Sequence, residues 1–197
     1  MSVVCEMLAL VGCILDPAVV PPHTDAKTWA RFCAKTVVTS DHVIWVAGLS
    51  DGYGTFYDER FRDVDLELLN HKPTLTATRW HYTAWNGPIE QRQRIMHRCE
   101  LPICVRLDHL EPGTQQANIK TAAAHDRLVR RRGRVRVDRA DVRGAAAQSR
   151  AVRFAVLEAV NSGVTDPTAL SLVVAAAVAL GDPDALSAQA PLFLLTW

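Results

Sequence analysis

Cysteine is scarce in this chain and follows no regular spacing. Five occur in 197 residues, at positions 5, 13, 33, 99 and 104. The odd count and uneven intervals exclude the framework of a small disulfide-stapled secreted domain. They favour a reducing compartment, in which neighbouring cysteines hold metal more often than they form disulfides.

Long apolar runs are missing as well. The stretch MSVVCEMLALVGCIL at 1–15 lacks the basic start of a secretory signal and is interrupted by Glu6. The run ALSLVVAAAVAL at 169–180 is too short to span a bilayer. We therefore expect no targeting signal, no membrane partner and a cytoplasmic location.

Neither sign of charge is in large excess over the whole chain. The net charge is +1, with 49% hydrophobic and 22% charged residues, which is typical of a soluble globular protein. One segment breaks the balance, since 125–143 carries eight arginines against three aspartates. Changes in local composition along the chain predict four regions: an N-terminal lead or linker at 1–27, a domain at 28–125, an arginine-rich linker at 126–143, and a helical hairpin with a tail at 144–197.

Local patterns predict the order of elements in the second region. HVIWVAGL has the character of a strand, SDGYG that of a turn, and TFYDERFR that of an antiparallel return. TATRWHYTAWNG predicts a helix with Thr78 near its start and Gly87 at its C-cap. A strand reaching His97, a turned loop, a second short strand and a helix starting near Thr114 are expected to follow.

The last region has apolar positions at helical spacing. AAAQSRAVRFAVLEAV and TDPTALSLVVAAAVAL predict two helices, with Thr165 as the N-cap and Pro167 in the first turn of the second. We expect a helical hairpin that serves core or dimer packing. A pair of DNA-binding helices is the alternative.

Three potential zinc ligands stand close together in the second region. Cys99, Cys104 and His109 are spaced Cys-x4-Cys-x4-His, and thiolate and imidazole donors suit tetrahedral zinc. A fourth donor is needed, and either His42 or Cys33 could supply it. The alternative is a buried pair of small cysteines near a surface histidine.

His97 and Asn118 could form a hydrolytic site beside these cysteines. The imidazole would take a proton from water, and the amide oxygen and the substrate's phosphate oxygens would hold a divalent ion that stabilises the leaving oxyanion. Mg²⁺ suits such a site because it needs few protein ligands. On the residues alone, a solvated surface histidine is the simpler alternative.

These residues also carry a family resemblance. WNGPIEQRQRIMHRCELPICVRLDHLEPGTQQAN is similar to the HNH endonucleases of the His-Me finger superfamily, in the branch with the approximate pattern YGPIPxGxxVxHxCDNPxCVNPxHLxxGTxxxN. That zinc-containing branch resembles the His-Cys box homing endonucleases. The likeness covers about residues 29–125. It implies an α+β fold: a ββα-metal (His-Me) finger core with an N-terminal β-hairpin and helix, followed by a C-terminal helical appendage.

The resemblance also implies a role for each matching position. His97 resembles the general base, Asn118 the ligand of a single Mg²⁺ or similar divalent ion, and Arg79 the arginine near the scissile phosphate. Cys99, Cys104 and His109 match three ligands of a structural zinc. The family's fourth ligand is a cysteine, and His42 stands in its place here.

Two further segments predict partners. The arginine-rich linker is expected to contact phosphates of double-stranded DNA, together with Arg79. The linker arginines assigned to this contact are Arg127, Arg130, Arg131, Arg132, Arg134 and Arg136. In the tail, Gln189, Leu192 and Phe193 resemble the short Gln-x-x-Leu-Phe peptide that binds the bacterial sliding clamp.

The sequence therefore predicts a metal-dependent DNA endonuclease of a bacterial or phage-infected cell, with homing or phage-associated biology implied only by the resemblance. The rival hypothesis is a catalytically inactive, zinc-stabilised DNA-binding module. A homodimer is expected if both strands are cut, because one finger holds one site. The target sequence, nicking against double-strand cutting, and the biological role stay open.

Overall fold

A computed structural model describes residues 15–61, 74–90, 92–124 and 144–181 of the chain. Over these ranges the fold is mixed α+β, with five α-helices and small antiparallel sheets. The first fourteen residues, the arginine-rich stretch 125–143 and the clamp-like peptide at 189–193 lie outside the described residues. The predictions made for those segments therefore stay predictions.

The described elements have the following bounds. The α-helices are α1 (Ala26–Cys33), α2 (Ala77–Asn86), α3 (Gln115–Ala124), α4 (Ala145–Asn161) and α5 (Pro167–Ala179). The strands are β1 (Thr36–Val38), β2 (Val43–Trp45), β3 (Leu49–Ser50), β4 (Tyr53–Tyr57), β5 (Thr74–Thr76), β6 (Gln93–His97) and β7 (Leu110–Thr114). Two short 3₁₀ turns span Glu59–Phe61 and Leu107–His109.

The segment HVIWVAGL is two strands rather than one. Its first part, β2, pairs with β1, whereas its second part, β3, pairs with β4, and β4 pairs in turn with β5. The chain bends between β2 and β3, where Trp45 Nε1 donates to the Gly48 carbonyl at 3.0 Å. The predicted antiparallel return is therefore confirmed for β4, but the single strand before it is wrong.

The helix predicted around Trp80 is present as α2. Its N-cap is Thr76, whose side chain accepts from the Arg79 amide, so Thr78 lies inside the first turn and is buried. Gly87 ends the helix at φ 83°, a conformation that side chains with a Cβ rarely adopt.

The expected strand, loop, strand and helix are present between residues 92 and 124. β6 and β7 form an antiparallel ladder that runs from Gln93 opposite Thr114 to His97 opposite Leu110. α3 follows β7 directly, with the Thr114 hydroxyl accepting from the Ala117 amide at 3.1 Å. The register places His97 at the end of its strand, beside the loop that carries both cysteines.

The predicted helical hairpin is also present, formed by α4 and α5 packed on one another. Its second helix is capped by Asp166 and not by Thr165, because the Asp166 carboxylate accepts from the Ala169 amide at 2.7 Å. Pro167 then occupies the first turn, where its missing N–H costs nothing.

One hydrophobic core joins these parts. Its centre is a set of stacked and tilted aromatic rings from α1, β2, β4 and α2, contributed by Trp29, Phe32, Trp45, Phe56 and Trp80. Buried residues of the hairpin, Val152, Val156, Leu170 and Val174 among them, belong to the same core. No helix within the described ranges has the length and apolarity needed to cross a membrane.

Candidate functional site

Four potential metal ligands converge at the edge of the core. One ligand atom from each of His42, Cys99, Cys104 and His109 lies within 4.8 Å of those of the other three. Two thiols and two imidazoles form a donor set suited to tetrahedral zinc. The cluster could therefore hold a metal ion such as zinc, and its members are the residues that the sequence singled out.

Of the two alternatives for the fourth donor, the structure brings His42 to the cluster. Cys33 lies at the end of α1, is fully buried in the hydrophobic core and is not part of the cluster. Burial raises the pKa of the Cys33 thiol to about 12. Cys33 is thus a small core residue, the ordinary place of a free cysteine.

Backbone pairing explains how His42 meets the cysteine loop. A tight turn precedes β2, in which Thr39 N donates to the His42 carbonyl at 2.8 Å and the Thr39 hydroxyl accepts from His42 N at 2.9 Å. The loop after Cys99 then runs along β2: Val105 N donates to the Val43 carbonyl, and Trp45 N donates to the Ile103 carbonyl. This pairing places Cys104 opposite Ile44, the middle residue of β2.

The polar atoms of the cluster are consistent with a cation-binding centre. The pKa of Cys99 is lowered, first because Cys104 donates a hydrogen bond to it and then because His42 does. The pKa of Cys104 is raised by the same hydrogen bond and by burial, and its Sγ lies 3.6 Å from His109 Nδ1. His42 Nδ1 is buried and has no hydrogen-bond partner among the described residues. Either ring nitrogen of histidine can bind zinc.

Within the described ranges this is the one group of three or more histidine, cysteine, aspartate or glutamate side chains close enough to share a metal. Asn118, the predicted Mg²⁺ ligand, is not part of this group.

A groove of about 450 Å³ lies next to the cluster. It brings together the three residues predicted to act on a phosphodiester, His97 from β6, Asn118 from α3 and Arg79 from α2. Asn118 is exposed on its helix, whereas His97 and Arg79 are half-buried. Three separate elements thus place an imidazole, an amide and a guanidinium along one surface depression.

The imidazole of His97 is oriented by the backbone of the cysteine loop. Its Nε2 lies 2.9 Å from the Cys104 carbonyl oxygen. A carbonyl can only accept, so Nε2 carries the proton, and Nδ1 is the basic nitrogen of the neutral ring. Cys104 therefore belongs to the metal-ligand cluster through its side chain and contacts the groove residue His97 through its carbonyl.

Arg79 is held at the groove by the strand that carries His97. Its Nη1 donates to the Gln93 carbonyl at 3.2 Å. Burial lowers the pKa of the guanidinium, and the positive charge of Arg94 lowers it further. Arginine stays protonated in proteins despite such shifts, so the groove holds a fixed positive charge.

Sequence reasoning missed other residues of the groove. Arg94, Glu100, Gln115 and Tyr53 also line it, and the Tyr53 ring centroid lies 6.2 Å from that of His97. For Arg94 and Glu100, proximity to His97 in sequence was a usable signal. For Tyr53 there was none, because the β3–β4 turn reaches the groove only through tertiary packing.

His81 is a second missed residue, and it braces the cysteine loop. It is buried in α2, where its Nδ1 donates to the Val105 carbonyl at 2.6 Å and its Nε2 accepts from Trp85 Nε1 at 3.2 Å. Burial lowers the pKa of His81 to about 4, so the ring is neutral at physiological pH. This contact lies one residue from Cys104.

Comparisons with known proteins gave no match: no protein-family model, no curated protein and no solved structure matches the chain. The motif residues and the geometry of this site are therefore the features that bear on function.

Proposed function

We propose that the protein is a metal-dependent endonuclease that hydrolyses phosphodiester bonds of DNA within a ββα-metal (His-Me) finger formed by β6, β7 and α3. The observation that carries this proposal is the placement of His97, Asn118 and Arg79 along one groove. A protein that only binds DNA has no need of an oriented imidazole in its groove, whereas a hydrolytic site can use one as a general base beside an amide that holds a divalent ion.

His97 is the general base. With Nε2 donating to the Cys104 carbonyl, Nδ1 takes a proton from the attacking water, and the resulting imidazolium gains from that same hydrogen bond. The bond also fixes the ring plane, which keeps the basic nitrogen aimed in one direction. A base fixed in this way loses little entropy when the substrate arrives.

Arg79 holds the phosphate that reacts. Its half-buried guanidinium offers hydrogen-bond donors to the phosphate oxygens, on which negative charge accumulates in the transition state. Asn118 and the substrate's phosphate oxygens would hold a divalent ion, with Mg²⁺ as the proposed one, whose Lewis acidity stabilises the leaving 3′ oxygen.

His42, Cys99, Cys104 and His109 would hold a structural zinc. Bound zinc supplies folding free energy on the order of 10 kcal/mol in small domains of this kind. In this chain that free energy would fix the loop from which His97 takes its orientation.

The test is plasmid cleavage in Mg²⁺ by the wild type, His97→Ala and Asn118→Ala. We expect each substitution to lower the rate by about 10²–10⁴-fold, the range for loss of a general base or of an electrostatic catalyst. His23→Ala and Asn86→Ala are the matched controls, because His23 lies beside Gly87 and Asn86 ends α2, both outside the groove.

Two results decide between the hypotheses. Cleavage by His97→Ala at the wild-type rate would contradict the mechanism. DNA binding by the wild type without cleavage of any plasmid would favour the rival, a zinc-stabilised DNA-binding module.

A further inference from the structure

Arg94 adds a second cation to the groove that holds Arg79. It is an exposed residue of β6, three positions before His97, and it lines the same depression. Its charge is close enough to lower the pKa of Arg79. Two guanidinium groups of like sign therefore face a shared space.

Neither charge is neutralised by the described part of the chain. Among the described residues, no ion pair includes Arg79 or Arg94. One acidic residue, Glu100, also lines the groove. Like charges held together at a half-buried site repel, and an anionic ligand would remove that repulsion.

Arg98 shows what an ordinary surface arginine looks like in this neighbourhood. It stands four positions after Arg94 and is ion-paired with Glu111, with Nε 2.8 Å from the carboxylate oxygen. It does not line the groove. These two arginines are close in sequence but differ in environment. Arg98 is ion-paired within the chain, whereas the guanidinium of Arg94 is available to an anionic ligand.

We infer that Arg94 is a phosphate-positioning residue, which binds the phosphate next to the one held by Arg79. The inference rests on the proposed function and narrows the substrate: the groove takes a strand with at least two successive phosphates. Arg94 lies three residues before His97 on β6. We therefore assign it to the neighbouring phosphate of the DNA strand and not to the reacting atoms. A diester with a single phosphate lacks the second phosphate that Arg94 would bind.

The experiment compares two substrates, a duplex oligonucleotide and bis(p-nitrophenyl) phosphate, which has one phosphate. The measured quantity is the ratio of kcat/KM on the duplex to kcat/KM on the small diester. We expect Arg94→Gln to lower this ratio about tenfold, the size of one lost charge-assisted hydrogen bond. The matched control, Arg98→Gln, should keep the ratio within about twofold of the wild type, as for an exposed ion pair.

A second readout does not depend on cleavage. Binding of the same duplex is measured against salt concentration in the His97→Ala background. Arg94→Gln should reduce the slope of log Kobs against log salt by about one phosphate contact, and Arg98→Gln should leave it unchanged. Circular dichroism checks that each variant is folded.

The outcomes separate the two proposals. If the wild type cleaves the duplex but Arg94→Gln behaves as Arg98→Gln in both readouts, the inference about Arg94 is overturned and the endonuclease proposal stands. If Arg94→Gln slows both substrates equally, Arg94 acts on the reacting phosphate and the second-phosphate assignment is wrong. If the wild type neither binds nor cleaves the duplex, the proposed function itself fails.

Discussion

His97 and Cys104 are joined by a hydrogen bond between the imidazole Nε2 and the backbone carbonyl, at 2.9 Å. The side chain of Cys104 faces His42, Cys99 and His109, while its carbonyl faces the groove. Whatever fixes the Cys104 backbone therefore also fixes the direction of His97. A metal ion bound at the cluster would act on the groove through this one residue.

The first prediction concerns the fourth metal ligand. His42→Ala should lose bound zinc, because three ligands hold zinc far less tightly than four. Cys33→Ala should keep its zinc and lose only about 1–2 kcal/mol of stability, because it removes a small buried side chain. His42→Cys should retain the metal, since a thiolate is a competent replacement. Zinc content by mass spectrometry under native conditions checks all three, and unchanged zinc in His42→Ala would contradict His42 as the fourth ligand.

The second prediction follows from the coupling through Cys104. Removing zinc with a chelator should lower both the melting temperature and the rate of DNA cleavage, even when Mg²⁺ is in excess. Restoring zinc should recover both. If cleavage persists at the full rate in zinc-free protein that stays folded, the cysteine loop does not depend on metal to orient His97.

Part of this site was predictable from local sequence alone. The strand that ends at His97 and the helix that starts after Thr114 were predictable, because alternation, a turn and a capping hydroxyl are all local signals. The spacing of Cys99, Cys104 and His109 likewise needs no tertiary information. The choice between His42 and Cys33 needs tertiary information, because it depends on which strand the cysteine loop pairs with.

The misses have the same physical origin. HVIWVAGL forms two strands because its first part pairs with β1 and its end pairs with β4, and β1 is a three-residue strand with little sequence signal of its own. Thr165 and Asp166 are both good N-caps, and a sequence does not show which one aligns with Pro167 at the first helical position. The role of His81 depends on a carbonyl more than twenty residues away.

The third prediction concerns His81 and pH. Its pKa of about 4 in the folded protein lies below the value near 6.5 of an unfolded chain, so the unfolded state binds more protons between these values. The stabilising effect of the neutral ring is fully present above about pH 6.5 and is lost as pH falls toward 4. The whole effect amounts to about 3 kcal/mol.

His81→Gln separates this titration from that of other groups. It should destabilise the protein by about 2 kcal/mol at pH 7 through the altered contact with the Val105 carbonyl. Because glutamine does not titrate and the loss of about 3 kcal/mol in the wild type exceeds the initial gap, the difference in unfolding free energy between wild type and variant should shrink on acidification and change sign near pH 4. Urea denaturation at several pH values measures this difference, and a gap independent of pH between 7 and 4 would contradict the burial of a neutral ring.

The fourth prediction concerns Arg92, which precedes β6 with φ 77°. A residue with a Cβ is destabilised by about 1–2 kcal/mol in the left-handed region. Arg92→Gly should therefore remove that strain, and after subtraction of the extra entropy of the unfolded chain it should stabilise the protein by about 0.5–1 kcal/mol. Lys120→Gly is the matched control: it also replaces an exposed cation but lies within α3, where glycine should destabilise by about 1 kcal/mol. Thermal unfolding of both variants measures the effect, and destabilisation by Arg92→Gly would mean that the arginine side chain contributes more at the entry to β6 than its backbone costs.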